Sequence, residues 1–207
     1  MPVIKRPPHR PSRRAAIIDA AMGLCAVHPP ERVTVADIAA ASDMTAAAVY
    51  YHFPSKEYVL LEGLQLFSGE MLAAMREMAK SPDAVAWARQ LMTSLLEWLE
   101  QNRSSATVYF AHSAGVDAAI EALRRQTRIA QVGILARAIR IHSRASRSSV
   151  DPEVAAIGLI ALIEHGACSW LTHDAVFLGL GRRGFIGEMG MLAERLVSAP
   201  ATASTAD

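Results

Sequence analysis

The stretch Thr34–Lys56, TVADIAAASDMTAAAVYYHFPSK, leaves the chain few folds to choose from. It reads as two short helices joined by a tight turn, with a longer helix starting at once behind them. Thr34 is a natural N-cap, and Asp37 stands where the acid of a capping box would stand. Val35, Ile38 and Ala39 give the first helix an inward face. Ser42-Asp43 breaks the run, because Asp tolerates the left-handed backbone that a helix end followed by a turn requires. Thr45 caps the second helix, Ala46–His52. Phe53-Pro54 ends it, since the residue before a proline is pushed out of helical geometry. Such a pair is a helix-turn-helix, whose second helix enters the DNA major groove.

The composition of the second helix supports that use. Thr45, Ala46, Ala47, Tyr50, Tyr51 and His52 lie on its open face, with Lys56 just beyond. Small side chains let a helix approach base edges, and an alanine methyl can meet a thymine methyl. Tyr, His and Lys can donate to phosphate oxygens.

Charge and hydropathy bound the rest. The net charge of +1 over 207 residues supplies no global pull toward nucleic acid, so any affinity must be local. Lys5, Arg6, Arg10, Arg13 and Arg14 concentrate positive charge at the start, with no acid among them. With 52% hydrophobic and only 6% aromatic residues, the chain suits a packed helical protein better than a β-sandwich. Cys25 and Cys168 lie far apart on apolar stretches, as buried thiols in a reducing compartment would. The start lacks the apolar core of a signal peptide. The longest uninterrupted apolar run, Val154 to Ile163, is short of the ~20 residues of a membrane helix. A cytoplasmic protein without a membrane partner is expected.

Periodicity predicts about nine helices and no strand, an all-α fold. Residues 1–11, rich in proline and basic side chains, read as a flexible arm. Helix 1 starts near the N-cap Ser12 and ends at His28-Pro29-Pro30. A long helix 4 runs from about Ser55 to Lys80. Further helices follow from Ser81-Pro82-Asp83 to about Asn102, from Ser104 to Ala114, and from Asp117 to His142. Ser143–Ser149 reads as a loop. Asp151-Pro152 is a strong helix start; that helix runs to about His173, and its first half is apolar on every side, hence buried all round. A terminal helix is expected from Phe185 to about Val197, with a disordered tail over 199–207. The division is an arm (1–11), a three-helix head (12–57, its helix-turn-helix about 34–53) and a helical carboxy-terminal domain (58–198).

The run Val49-Tyr50-Tyr51-His52-Phe53, then Ser55-Lys56-Glu57, strongly resembles the TetR family of bacterial transcriptional regulators. The likeness covers roughly residues 11–70; beyond that only length and helical content agree. It implies that the start of helix 1 lies near a phosphate, so Arg13 and Arg14 join Thr34, Thr45, Ala46, Ala47, Tyr50, Tyr51, His52 and Lys56 as candidate DNA contacts. It also implies a homodimer on a roughly palindromic operator. The dimer contacts are expected in the last two helices, at Gly158, Ala161, Leu162, Ala167, Ile186, Met189, Ala193 and Leu196.

The carboxy-terminal domain should then hold a small-molecule effector. Flexible Met and flat aromatics suit an apolar ligand, and a few polar groups would orient it. The candidates are Met71, Met75, Trp87, Met92, Leu95, Tyr109, Phe110, His112, Gln131, Ile134, Glu164 and Cys168. Helix 4 joins head and pocket, so a ligand that favours one tilt of it alters the spacing of two heads. A ligand-released repressor is the expected function, with an activator or a helical adaptor that has lost DNA binding as alternatives.

The chain departs from the family pattern at two places. Asp43 holds the turn position usually given to glycine. Ala46-Ala47-Ala48 stands where a basic or polar side chain is common, which points to an operator read through thymine methyls and DNA shape. No Gly-rich phosphate loop, GxSxG elbow, CxxC pair or HExxH is present, so neither enzyme chemistry nor a cofactor nor a metal is expected. Glu164, His165 and Cys168 are a thin metal signal, because structural sites want paired ligands at regular spacing.

Overall fold

A computed structural model of the chain describes residues 12–80, 86–142 and 150–198. The expected arm at 1–11 (with Lys5, Arg6 and Arg10), the helix start at Ser81-Pro82-Asp83, the loop at Ser143–Ser149 and the tail at 199–207 lie outside them. Among the described residues there are nine α-helices and no strand: α1 (Arg13–Val27), α2 (Val35–Ala41), α3 (Ala46–His52), α4 (Lys56–Met78), α5 (Trp87–Gln101), α6 (Arg103–Thr107), α7 (Ala118–His142), α8 (Pro152–Thr172) and α9 (Ala175–Ser198). A 3₁₀ turn, Pro30–Arg32, precedes α2, and a π-helical turn, Val108–His112, follows α6.

The local signals work as their chemistry requires. Ser12 Oγ accepts from the Ala15 N–H and caps α1. Thr34 and Asp37 form a reciprocal capping box, Thr34 Oγ1 accepting from Asp37 N at 3.2 Å and Asp37 Oδ2 accepting from Thr34 N at 2.8 Å. Asp43 takes φ +56°, the left-handed turn expected of it. Asp151 Oδ1 caps α8, accepting from the Glu153 and Val154 amides.

α1, α2, α3 and the start of α4 close around Ile17, Ile38, Val49, Phe53 and Val59, all buried. Gly63 makes the crossing of α1 and α4 possible: a Cβ there would lie 2.7 Å from Met22 Sδ. α4 then leaves the head and packs along α7 and α5. α8 lies between α7 and α9, and α9 returns along α5.

Two expectations need correction. The last helix begins earlier than Phe185. Asp174 Oδ1 accepts from the Val176 and Phe177 amides and starts a helical turn at Ala175, which Gly181, at φ +66°, breaks before the main helix resumes. α8 continues through Glu164 and His165 to Thr172, as expected, but its first half is not buried all round, because Val154 and Ile157 are exposed. That helix is long and apolar enough to cross a membrane, with mean hydropathy 1.6 over 18 residues. More than half of that window, 56%, is buried against neighbouring helices, the pattern of a core helix.

Candidate nucleic-acid interface and effector seam

The recognition helix α3 is held by groups that the sequence makes look like phosphate contacts. Arg14 is engaged three ways. Its Nη1 donates to the carbonyl of His52 at 2.7 Å, one of the carbonyls left unpaired at the end of α3. Its Nε donates to Glu62 Oε1 at 2.7 Å, and its Nη2 donates to Glu62 Oε2. The guanidinium lies 4.0 Å from the centroid of the Phe53 ring. One side chain thus joins the start of α1, the end of α3 and the second turn of α4. The Arg14 hydrogen bond holds the Glu62 carboxyl below the ordinary carboxylate range, against the opposing effect of burial.

Lys56 is used in the same manner. Its Nζ donates to the carbonyls of Pro30 and Val33, at 2.8 and 2.9 Å, and pins the 3₁₀ turn to α4. Thr34 and Thr45 carry caps, Thr45 Oγ1 accepting from Ala48 N at 3.1 Å. The exposed face of α3 therefore consists of Thr45, Ala46, Ala47, Tyr50 and Tyr51, with Tyr51 87% exposed and His52 half-buried beside it. Arg13 is exposed at the N-terminus of α1. The face is smooth, aromatic at one edge, and free of acid.

Most of the sequence-named pocket residues pack as core. Met71, Met75, Trp87, Met92, Leu95 and Tyr109 are buried. Phe67 of α4 gathers Trp98, Tyr109 and Phe110 at ring centroid distances of 5.5, 5.5 and 6.5 Å. Burial pushes the Tyr109 phenol up, against the pull of Arg124 and a hydrogen bond with Thr127. His112 faces the head: its Nδ1 lies 2.7 Å from the Cys25 carbonyl at the end of α1. Glu164 pairs with Arg128 of α7 at 2.8 Å, and His165 Nδ1 bonds the Ala161 carbonyl. Cys168 is half-buried. Among the described residues no group of three His, Cys, Asp or Glu side chains could hold a metal ion.

The open volume lies at the far end of the α4–α7 contact. A groove of about 680 Å³ is lined by Arg76, Ala79 and Lys80 of α4 and by Ala130, Gly133, Ile134, Arg137, Ala138, Ile141 and His142 of α7. That volume is in the range of ligand pockets. Of the residues named from sequence only Ile134 lines it; the ring of Trp87 stacks on His142 with centroids 5.1 Å apart. Spacing gives no signal for Arg76, Lys80 and Arg137, which flank the apolar stripes of their helices and read as solvent-facing.

The small residues named for a dimer interface bring α8 and α9 of one chain together. A Cβ at Gly158 would lie 3.1 Å from Leu196, and Ala167, Met189 and Ala193 are buried within the protomer. Leu162 and Ile186 are half-buried, and Ala161 is exposed. The apolar side chains that α8 leaves uncovered are Val154 and Ile157, 59% and 57% exposed, in line with Ala161. Leu192 of α9 is exposed as well.

Comparison with known proteins agrees with this geometry. The model of the bacterial regulatory proteins of the tetR family matches residues 17–62, from the middle of α1 into α4. The HTH-type transcriptional repressor KstR2 of Rhodococcus jostii (strain RHA1) is 32% identical over 98 residues, 47% of this chain and 48% of that protein. The match thus spans about half the length of that curated relative. The regulator FadR from Bacillus subtilis in complex with stearoyl-CoA superposes with a TM-score of 0.72 at 17% identity, covering 88% of this chain and 97% of that one. AibR in complex with isovaleryl coenzyme A and operator DNA superposes with a TM-score of 0.68 at 20% identity, covering 91% and 100%. At such identities the superpositions establish the fold.

Proposed function

The chain belongs, through the head built from residues 17–62, to the tetR family of bacterial regulatory proteins, and on that premise we propose that it is a homodimeric repressor, released from a roughly palindromic operator when a small, largely apolar molecule binds its carboxy-terminal helices. The observation that carries this reading is the continuity of α4. One unbroken helix, Lys56–Met78, is clamped to the recognition helix through Glu62 and Arg14 at one end and lines the groove through Arg76 at the other.

The DNA face of this reading is Thr45, Ala46, Ala47, Tyr50 and Tyr51, with Arg13 on a flanking phosphate. Arg14 and Lys56 hold α3 and the preceding turn in place rather than touching the backbone of the duplex. The dimer face is the uncovered stripe of Val154, Ile157 and Ala161 on α8 with Leu192 on α9, which a second copy would bury. The carboxy-terminal unit begins within α4, which both parts share. The effector class to try first is an acyl-CoA thioester, the class held by FadR and AibR, whose fold this chain shares.

The test is selection of bound duplexes from a random pool at moderate salt, with the mass of the complex measured on the enriched site. Expected is a palindrome with half-sites one helical turn, about 34–36 Å, or a multiple apart, rich in A·T at the contacted steps. Binding should weaken steeply with salt. No enrichment by a folded dimer, with or without acyl-CoA, would sink the repressor reading and favour a helical adaptor.

A further inference from the structure

The buried polar groups of the α4–α7 contact have no business in an apolar core unless something else completes them. Ser68, Met71, Met75 and Ala79 follow one another at three- and four-residue spacing, so they form one stripe of α4. Thr127, Gln131, Ile134 and Ala138 form the facing stripe of α7. The register is fixed by Gln131, whose Nε2 lies 3.7 Å from Met75 Sδ and 3.9 Å from Met71 Sδ. Gln131 is 1% exposed, and a thioether is a weak acceptor for an amide N–H. Ser68 Oγ, on the same stripe, is the single buried side-chain N or O among the described residues with no hydrogen-bond partner. A native core satisfies such groups, because an orphaned one keeps its desolvation penalty uncompensated.

Along this same seam, past Met75 and Ile134, lies the groove. Its mouth carries Arg76, Lys80 and Arg137, all exposed. Lys80 pairs with Glu77 in the solvent, whereas Arg76 and Arg137 have no ion-pair partner among the described residues. Its wall is Ala79, Ala130, Gly133, Ile134 and Ala138. Positive mouth, apolar wall and buried donors thus follow in order down one seam. From Ala79 to Ser68 the distance along α4 is about 16 Å. Met71 and Met75 stand between the open and the closed parts. Both are unbranched and flexible, the side-chain type that moves aside for a ligand at least cost.

The geometry points to a binding site for an anionic amphiphile whose apolar body carries an oxygen remote from its charged head. The head meets Arg76 and Arg137 at the mouth, the body replaces the Met71 and Met75 side chains along the seam, and the remote oxygen accepts from Gln131 Nε2 with Ser68 beside it. This assignment rests on the reading of the chain as an effector-responsive regulator and adds the chemistry of the effector. The charged head can belong to a free carboxylate or to the phosphates of a carrier thioester, and both meet the same guanidinium groups.

The experiment is direct binding to the full-length chain without DNA, so that its failure is separate from failure of the operator selection. The probes are dodecanoate, ω-hydroxydodecanoate, dodecanoyl-CoA and the neutral 1-dodecanol. Tryptophan fluorescence reports occupancy, since Trp87 stacks on His142 at the groove, and calorimetry gives affinities. Expected is binding of the anionic probes at least ~10-fold tighter than the alcohol, and a further gain of about 10-fold for the ω-hydroxy acid over dodecanoate. The thioester arm reports the source of the head, and preference for either anion supports the site. The double variant Arg76→Ala/Arg137→Ala should lose about 10-fold for the anions and nothing for the alcohol. Gln131→Met should lose the preference for the ω-hydroxyl, so that the ω-hydroxy acid binds no tighter than dodecanoate. Equal binding of acid and alcohol overturns the proposal, as does a hydroxyl preference that survives Gln131→Met. So does the absence of binding by all four probes to protein that melts cooperatively.

Discussion

His112 and Cys25 join two parts of the molecule through a single hydrogen bond. The imidazole Nδ1, on the π-helical turn beneath the aromatic cluster of α4, donates to a carbonyl in the last turn of α1, 2.7 Å away. A carbonyl acceptor fixes the proton on Nδ1. The carbonyls ending a helix have no partner in the helix itself, so His112 is part of the C-terminal cap of α1. Replacing it by Ala should lower stability by about 1 kcal/mol, whereas Gln, which keeps a donor, should recover part of that. Thermal or denaturant melts of the three proteins check the order.

Arg13 and Arg14 are neighbours with opposite signatures. Arg14 is occupied by Glu62, the His52 carbonyl and the Phe53 ring. Arg14→Lys keeps the charge and loses the bidentate fork and the stacking. It should weaken operator binding about 10-fold while leaving the salt dependence unchanged. Arg13→Ala should weaken all duplexes alike and reduce the salt slope by about 1. Titrations at several salt concentrations separate the two.

Acid should act on the head through Glu62 and Asp37. Both carboxyls titrate below their ordinary values, Glu62 through its hydrogen bond with Arg14 and Asp37 through those with Thr34. A depressed folded pKa means stability that is complete above the unfolded value, about 4, and lost as pH falls through the folded one. The melting temperature should therefore be flat from neutral pH to about 5 and fall below about 4. Glu62→Gln should flatten part of that fall. A steep change near pH 6.5, the histidine range, would contradict this assignment.

Ser68 offers the clearest stability prediction. Its hydroxyl is buried without a partner, so Ser68→Ala should raise stability by about 1 kcal/mol in the absence of ligand. A gain of this kind at a buried position is what a site kept for binding leaves behind. Denaturant midpoints with unchanged slope decide it.

Local chemistry was readable in the chain to the extent that it is local. Thr34 with Asp37, Asp43, Ser12 and Asp151-Pro152 each bond within a few residues of themselves, so spacing alone places them. Arg14 and Lys56 show where this stops. A basic side chain beside a recognition helix looks the same in sequence whether it meets a phosphate or a backbone carbonyl 26 residues away, as Lys56 meets Pro30. Gly158 and Gly166 announce close helix approach, yet only the fold tells that α9 of the same chain is the partner, through Leu196 and Met189. The Met71 and Met75 stripe was visible as apolar, while the groove is built by Arg76, Lys80 and Arg137, which periodicity assigns to solvent. The early start of α9 was hidden because Gly181 and Gly184 punctuate the region, and a helical turn capped by Asp174 fits ahead of the first of them.

The length of α4 sets a mechanical gain. Twenty-three residues of α-helix extend about 34 Å. If the helix tilts by about 5° with its groove end as the fulcrum, the head end is carried about 3 Å. That is close to the rise of one base pair, about 3.4 Å. In a two-fold assembly both heads move, and the displacement doubles. In the proposed dimer, a shift that two methionine side chains can absorb would thus take both recognition helices out of step with their half-sites.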